Sequence, residues 1–424
     1  MAEKLKTLAI TLLSITMTVL ILALFAIIAV SDALKLEDIV FEFFRKSEDI
    51  DTTASENETA SISTPFQIAL LKGNGVLYSP LSVDSFSNLY RSTMPITDEA
   101  LGSATYIGEL SENEFLFLLL NTGILYKYDN PLPLSFIFVD YSATEVDAKV
   151  KDLFIYNENN QVWLAVSSSD GKYYSFSTLS DPSYINILCG GYIENGQIAA
   201  TYSNPELSYT GIIMSESFEM PSYTNVKADY EGELPKTIMS TLGMNPYLAS
   251  VYRDGSSVIY MEGFHRVAID EDGHLSYFSE EEGKGIAIDV DPQANAEEKF
   301  LQICTQSSGI LQQLWTEISS SFVTLSFSIF EETDGGYILY FDAYIGGCLV
   351  NHSLHSAAAL QIDDGKIINI SVHPLRLERA ENISLLPYKQ AAAVAPAKSC
   401  IAVQYTIDDD LLTPATVFIK EETP

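Results

Sequence analysis

The chain has 424 residues, 47% of them hydrophobic and 11% aromatic, and a formal net charge of −34 from 57 acidic against 23 basic side chains. So strong a negative field repels phosphate, which excludes nucleic acid as a partner, and it disfavours a flat seat on an anionic membrane surface. The length accommodates two or three domains, and the apolar content suffices for packed cores. The four cysteines, Cys189, Cys304, Cys348 and Cys400, are far apart and show no C-x-x-C spacing. Buried small hydrophobes are therefore expected rather than a disulfide framework or a zinc site, although four cysteines allow three pairings.

Residues 1–7 read as a short cytoplasmic tail with Lys4 and Lys6. Residues 8–30 carry no charge. As a helix this run would be about 34 Å long, enough to cross the ~30 Å hydrocarbon core of a bilayer. The lysines precede it and acidic residues follow, so the positive-inside rule puts the remainder of the chain outside the cytoplasm. Ala29 and Ser31 would suit a signal-peptide cleavage site. However, the run exceeds the ~7–15 apolar residues of a signal core, which favours a retained single-pass anchor. Thr11, Ser14 and Thr18 share one helix face, where small hydroxyl residues let membrane helices approach; the same residues are also tolerated in any membrane helix. In the juxtamembrane stretch 31–63, Leu36, Ile39, Val40, Phe43 and Phe44 form an apolar stripe at helical spacing. The stripe could pack on a partner's helix or on the protein's own ectodomain. These eight residues are the candidate partner contacts. Residues 47–63, rich in Ser, Thr and acids, read as a flexible linker.

The globular part is α+β, β-rich and antiparallel. An N-terminal extracytoplasmic α+β domain is expected over 64–230, a first helix-plus-sheet unit over 231–293, and a second unit with closing strands over 294–424. The spacing predicts strands at 68–71 and 75–78, an amphipathic stretch at 81–91, and a helix capped by Thr97. It predicts a helix over 112–120 stopped by Gly123, a buried strand over 134–139, and a β-meander over 151–179. Strands are expected at 185–189 and 196–202, and a boundary near 228–233. A short helix over 236–244 leads to hairpins around Asp254-Gly255 and Asp272-Gly273. A longer helix opens near Pro292 and Ala294 and carries Leu311, Leu314, Trp315 and Ile318. Hairpins around Asp334-Gly335-Gly336 and Asp364-Gly365 follow, then an Ala-rich stretch over 385–395 and strands over 400–407 and 416–420. Residues 267–275 align with 359–367, which suggests two copies of one helix-plus-sheet unit or a chance likeness of Asp-Gly hairpins.

No nucleophile elbow, H-E-x-x-H, phosphate-binding loop or S-x-x-K motif is present. His352 and His355 lack further ligands nearby in sequence, so a solvated or hydrogen-bonded pair is expected. Asp270, Asp272 and Gly273 echo a calcium loop, yet Ala268 and Ser279 stand where its first and twelfth ligands belong, which leaves a plain turn. Asn57, Asn351, Asn369 and Asn382 each begin an N-x-S/T sequon. No cofactor or metal and no enzymatic activity is expected. Two readings remain: a regulatory interaction protein, or an anchored binding module for cell-wall fragments or peptides. Trp163, Tyr173, Tyr174 and Tyr192 would line the groove of such a module, although at strand spacing such residues are more often core.

With anchor, linker and repeated Asp-Gly hairpins at 272–273 and 364–365, the chain resembles the YycH/YycI group of regulators from low-GC Gram-positive bacteria. The ending adds to the likeness: Leu385-Leu-Pro-Tyr-Lys-Gln-Ala391, then Tyr405 and Leu412-Thr-Pro414. The aromatic residue usual after that last proline is Ala415 here, a departure from the pattern. The resemblance covers 64–420. It implies a single-pass membrane protein with an extracytoplasmic α+β portion. It also implies association with a membrane sensor histidine kinase of the two-component system that controls the cell wall, and a paralogous regulator as a further partner. The group supplies no catalytic residue to carry over.

Overall fold

A computed structural model describes residues 64–420, apart from 73–75, 81–82, 130–132, 139–140, 144–145, 147, 194–196, 200–211, 215–217, 228–229, 231, 353–355, 398 and 409. The described residues belong to one compact unit, Thr59–Pro424. Among them no helix is long and apolar enough to cross a membrane. The apolar run 8–30 and the stripe at 36–44 lie outside the described residues.

The first sheet is built from β1 (Gln67–Leu71), β2 (Val76–Tyr78), β3 (Thr105–Leu110), β4 (Thr122–Lys127), β5 (Val150–Glu158), β6 (Gln161–Ser168) and β7 (Tyr173–Ser177), in the order β2-β1-β4-β5-β6-β7-β3. Every pairing in it is antiparallel. Asn159 and Asn160 adopt left-handed φ of 54° and 62°, the twist that a two-residue hairpin between β5 and β6 requires. Side chains alternate across the strands, so the two faces separate cleanly. One face (Ile68, Leu70, Ile124, Ile155, Leu164) enters the main core beneath α1 (Val83–Gly102). The other (Ala69, Leu71, Leu125, Phe154, Ala165) packs with Phe115 and Leu116 of α2 (Glu112–Leu118). Both faces are covered, which is why β1 and β4 read as continuous apolar runs.

Four expectations are corrected here. Residues 83–91 of the expected amphipathic stretch and the cap expected at Thr97 belong to one helix, α1, which runs through Pro95. Thr97 lies inside it, donates to the Thr93 carbonyl at 3.0 Å, and meets the Tyr126 hydroxyl at 2.6 Å. Burial of Leu89, Ile96, Ala100 and Leu101 outweighs the proline's cost. Residues 134–139 start a short helix, α3 (Leu134–Ile137), rather than a strand. Residues 185–189 are not a strand but lie in α4 (Pro182–Gly190), with Pro182 in its first turn and Asp181 accepting from the Ser183 amide at 2.8 Å. Ile185 and Cys189, four apart, are buried while Asn186 and Ile187 face out, the helical period rather than the strand period.

Gly123 does not stop a helix; it sits in β4 against β5. A Cβ there would lie 2.4 Å from the Ile155 carbonyl oxygen and 2.9 Å from the Tyr156 Cα. Gly123→Ala should therefore force the two strands apart and destabilise the protein by about 1–3 kcal/mol, read as a lower urea midpoint.

A two-stranded piece, β8 (Gln197–Ala199) and β9 (Ile212–Met214), falls within the strand expected at 196–202 and beyond it. The larger sheet then begins with β10 (Phe218–Asn225), a strand through the Ser/Tyr-rich tract before the expected boundary. Helix α5 (Leu234–Thr241) follows, then β11 (Ser250–Asp254), β12 (Ser257–Glu262), β13 (His265–Ile269), β14 (Leu275–Ser279) and β15 (Ile286–Ala287). Helix α6 (Ala296–Ile318) opens on Asn295, whose side chain accepts from the Glu298 amide while Glu298 returns the bond. After it come β16 (Val323–Thr333), β17 (Gly336–Ile345), β18 (Cys348–Asn351), β19 (Ala358–Asp363), β20 (Lys366–Val372) and β21 (Leu377–Leu385). Helix α7 (Tyr388–Val394), β22 (Ser399–Asp408) and β23 (Leu411–Lys420) close the described chain; α7 forms within the Ala-rich stretch 385–395, whose first residue ends β21.

The order is β11-β12-β13-β14-β20-β19-β17-β18-β22-β23-β10-β21, with β15 beside β20 and β16 beside β17. The β18–β22 pairing is parallel. The two aligned Asp-Gly hairpins, β13–β14 and β19–β20, lie side by side and join through β14 and β20. Helix α6 buries Cys304, Leu311, Leu314, Trp315 and Ile318 in the main core, to which both sheets contribute.

Candidate interaction surface

Strand β11 is Ser-Val-Tyr-Arg-Asp, and it ends the larger sheet. One side pairs with β12 in register, Val251 opposite Tyr260 and Tyr252 opposite Ile259. No described strand pairs with its other side. All five residues are exposed. Tyr247 and Leu248, just before it, are 85% and 69% exposed, and Val251 and Tyr252 continue the apolar character. The Tyr252 hydroxyl donates to Met261 Sδ at 3.2 Å. The ladder Ser250–Met261–Arg266–Phe278 puts exposed Phe278 on the same sheet face as Tyr252. An edge with open N–H and C=O groups accepts an added strand, and flanking apolar side chains then supply contact area. Binding an extended segment is what this corner can do chemically.

The aromatic residues considered for a groove are packed instead. Tyr173 lies 5.1 Å, centroid to centroid, from Phe115, Tyr174 lies 6.4 Å from Tyr106, and Tyr192 lies 4.8 Å from Tyr78. Trp163 packs on the core beneath α2. Burial pushes the Cys189 and Cys348 thiols up to about 12 and the Cys304 thiol higher still, so none of the three is poised as a thiolate nucleophile. The Asp270 carboxylate accepts from the amides of Asp272 at 3.0 Å and His274 at 2.9 Å, a plain side-chain-closed turn. Among the described residues no group of three or more His, Cys, Asp or Glu could hold a metal ion.

His355 lies outside the described residues. His352 does not stand alone: its ring is 6.3 Å from His373, which stacks on His274 at 4.3 Å. The His274 ring also meets Ser371 Oγ at 2.8 Å through Nε2. Sequence reasoning missed this grouping, because it depends on the long-range pairing of β14 with β20. Leu275 pairs with Val372, so the next step of the ladder sets residue 274 opposite 373. Desolvation lowers the pKa of His265, against the pull of Glu262, and its Nδ1 meets the Tyr277 hydroxyl at 2.8 Å. The predicted contacts Thr11, Ser14, Thr18, Leu36, Ile39, Val40, Phe43 and Phe44 lie outside the described residues, and the sequence around β11 marks no more than a hairpin strand.

No protein-family model matches the chain, and no curated protein is significantly similar in sequence. Among solved structures, the crystal structure of YycH from Bacillus subtilis matches with a TM-score of 0.51 at 12% identity, over 87% of this chain and 97% of that one. The chain thus has the fold of YycH. The resemblance read from the closing segments and Asp-Gly hairpins is matched at the level of the fold.

Proposed function

We propose that this chain is a membrane-anchored extracytoplasmic regulator that binds and modulates a sensor histidine kinase of a two-component system. The observation that carries this reading is the YycH fold over nearly the whole of both chains. The uncharged run 8–30 and the basic residues before it support the anchor, with the ectodomain outside the cell. The acidic composition suits an ectodomain held away from lipid headgroups. The protein acts by binding rather than by catalysis, and a paralogous regulator is a further partner. We also read the helix-plus-sheet segments around the paired hairpins β13–β14 and β19–β20 as copies of one unit.

A regulator must bind two states of its target unequally. Contact through Thr11, Ser14 and Thr18 or through the stripe at 36–44 would do this inside or beside the membrane. Contact through β11 would do it from the ectodomain. Crosslinking and pull-down of the full chain from membranes, beside a form lacking residues 1–46, separates them. We expect the full chain to recover a histidine kinase and the shortened form to lose it. Recovery with both forms would move the contact to the ectodomain. Recovery with neither, together with retention on wall material, would replace the regulator by a wall-binding module.

A further inference from the structure

The two sheets meet along a seam. On one side stand Phe66 and Gln67 at the start of β1, and Asp129 just past the end of β4. On the other stand Asp342 and Tyr344 of β17, and the turn Gly346-Gly347 that follows. The Tyr344 ring is buried and stacks on Phe66 with centroids 4.6 Å apart. Its hydroxyl donates to Asp129 Oδ2, joining positions far apart in the chain. Gly347, at φ +79°, backs so closely onto Gln67 that a Cβ would lie 2.7 Å from Gln67 Nε2. The ends of β1 and β4 therefore meet the end of β17 through the close approach of Gly347 to the Gln67 side chain, an aromatic stack and one phenol–carboxyl bond.

Asp342 and Tyr344 are two apart on β17 and so share a face, which brings a second carboxyl to Asp129. Asp342 is itself hydrogen-bonded by Ser328. The cation that faces Asp129 is Lys151 of β5. Asp129 stands where the seam reaches the surface: the residue as a whole is exposed, while the protein around Tyr344 strips water from its carboxyl. That desolvation pushes Asp129 up to about 6. The Tyr344 bond and Lys151 pull it down, Asp342 pushes it up, and solvent at the surface screens part of the shift. Burial raises Asp342 as well.

We propose that Asp129, Asp342 and Tyr344 form a proton-operated clasp, which holds the two sheets together in mild acid and loosens as the carboxyls ionise toward neutrality. Protonated Asp129 still accepts from Tyr344 through its carbonyl oxygen and no longer repels Asp342. A carboxyl whose folded pKa lies above its ordinary value stabilises the closed seam fully below that ordinary value, and the contribution is lost as pH rises through about 6. No residue of the proposed kinase contact takes part, so the clasp stands or falls independently of that reading.

Amide hydrogen exchange of the full-length protein in detergent, corrected for the intrinsic pH dependence of exchange, tests this. Between pH 5 and pH 7.5 the amides of 66–68 and 344–347 should exchange about tenfold faster, while those of β5 and β6 hold steady. In Asp129→Asn, which keeps the acceptor for Tyr344, the change at the seam should shrink to within about twofold. In Asp342→Asn, which leaves the Tyr344 bond untouched, the transition should move to lower pH. A seam that exchanges equally at both pH values in the natural protein would overturn the clasp. So would an Asp129→Asn variant that follows the natural profile.

Discussion

Asp152→Ala is expected to destabilise the protein by about 3–5 kcal/mol. Asp152 is fully buried at the centre of a polar row that crosses β4, β5 and β6. It pairs with Lys127 Nζ at 2.5 Å and accepts from Ser167 Oγ at 2.6 Å. Lys127 is itself 12% exposed, so removing the carboxylate takes the counter-charge from an ammonium where water scarcely reaches. The loss far exceeds that of an exposed pair such as Lys172–Asp170, worth about 0–1 kcal/mol. The double variant Lys127→Met, Asp152→Leu should recover most of the loss, because replacing both charges by apolar side chains of similar volume is often neutral. Urea unfolding of the single and double variants measures both effects. Equal midpoints for Asp152→Ala and the natural protein would show that the row contributes no net pairing.

Trp315→Ala should cost about 3–5 kcal/mol as well, by a different route. Trp315 is 1% exposed on α6, and its Nε1 donates to the Val323 carbonyl at 3.1 Å, tying the helix to the first residue of β16. Truncation opens a cavity between that helix and the larger sheet and leaves the carbonyl without its donor. Trp315→Phe keeps most of the volume and loses the bond, so about 1–2 kcal/mol is expected. Thermal unfolding would order the three proteins as natural, Phe, Ala. A Phe variant as unstable as the Ala variant would mean that the bond, not the packing, dominates.

Local signals recovered most elements of this fold. Asn159-Asn160, Asp272-Gly273 and Asp364-Gly365 mark turns by backbone need, and alternation between them marks strands. Errors arose where a short apolar run suits two periods. Ile185-Asn-Ile-Leu-Cys189 reads as a strand until Ile185 and Cys189 are seen to share a buried face. Thr97 reads as a cap until Leu89, Ile96, Ala100 and Leu101 are seen to hold one continuous helix through it. Gly123 reads as punctuation, yet it marks the close approach of β4 to β5, a relation between strands that one strand's sequence does not carry. The candidate surface was less legible. Whether Ser250–Asp254 lies inside or at the rim of a sheet depends on strand order, and strand order is set by pairings such as β14 with β20 across nearly a hundred residues. The Asp129–Tyr344 bond depends on how two sheets dock. The candidate contacts at 11–44 lie outside the described residues.

The hairpin β22–β23 sits inside the larger sheet, between β18 and β10. Strand β10 is synthesised nearly two hundred residues earlier, yet among the described strands it and its neighbour β21 join the rest of the sheet through β23. Until that hairpin emerges, the half-finished sheet presents two raw edges, β18 on one piece and β10 on the other. Such edges recruit foreign strands, and connections this long close slowly. On the proposed topology, with the ectodomain outside the cytoplasm, the chain would meet this hazard unfolded and in transit. A nonsense mutation near position 395 would thus do more than trim a terminus: it would cleave one sheet into two, and quality-control proteases would see the seam.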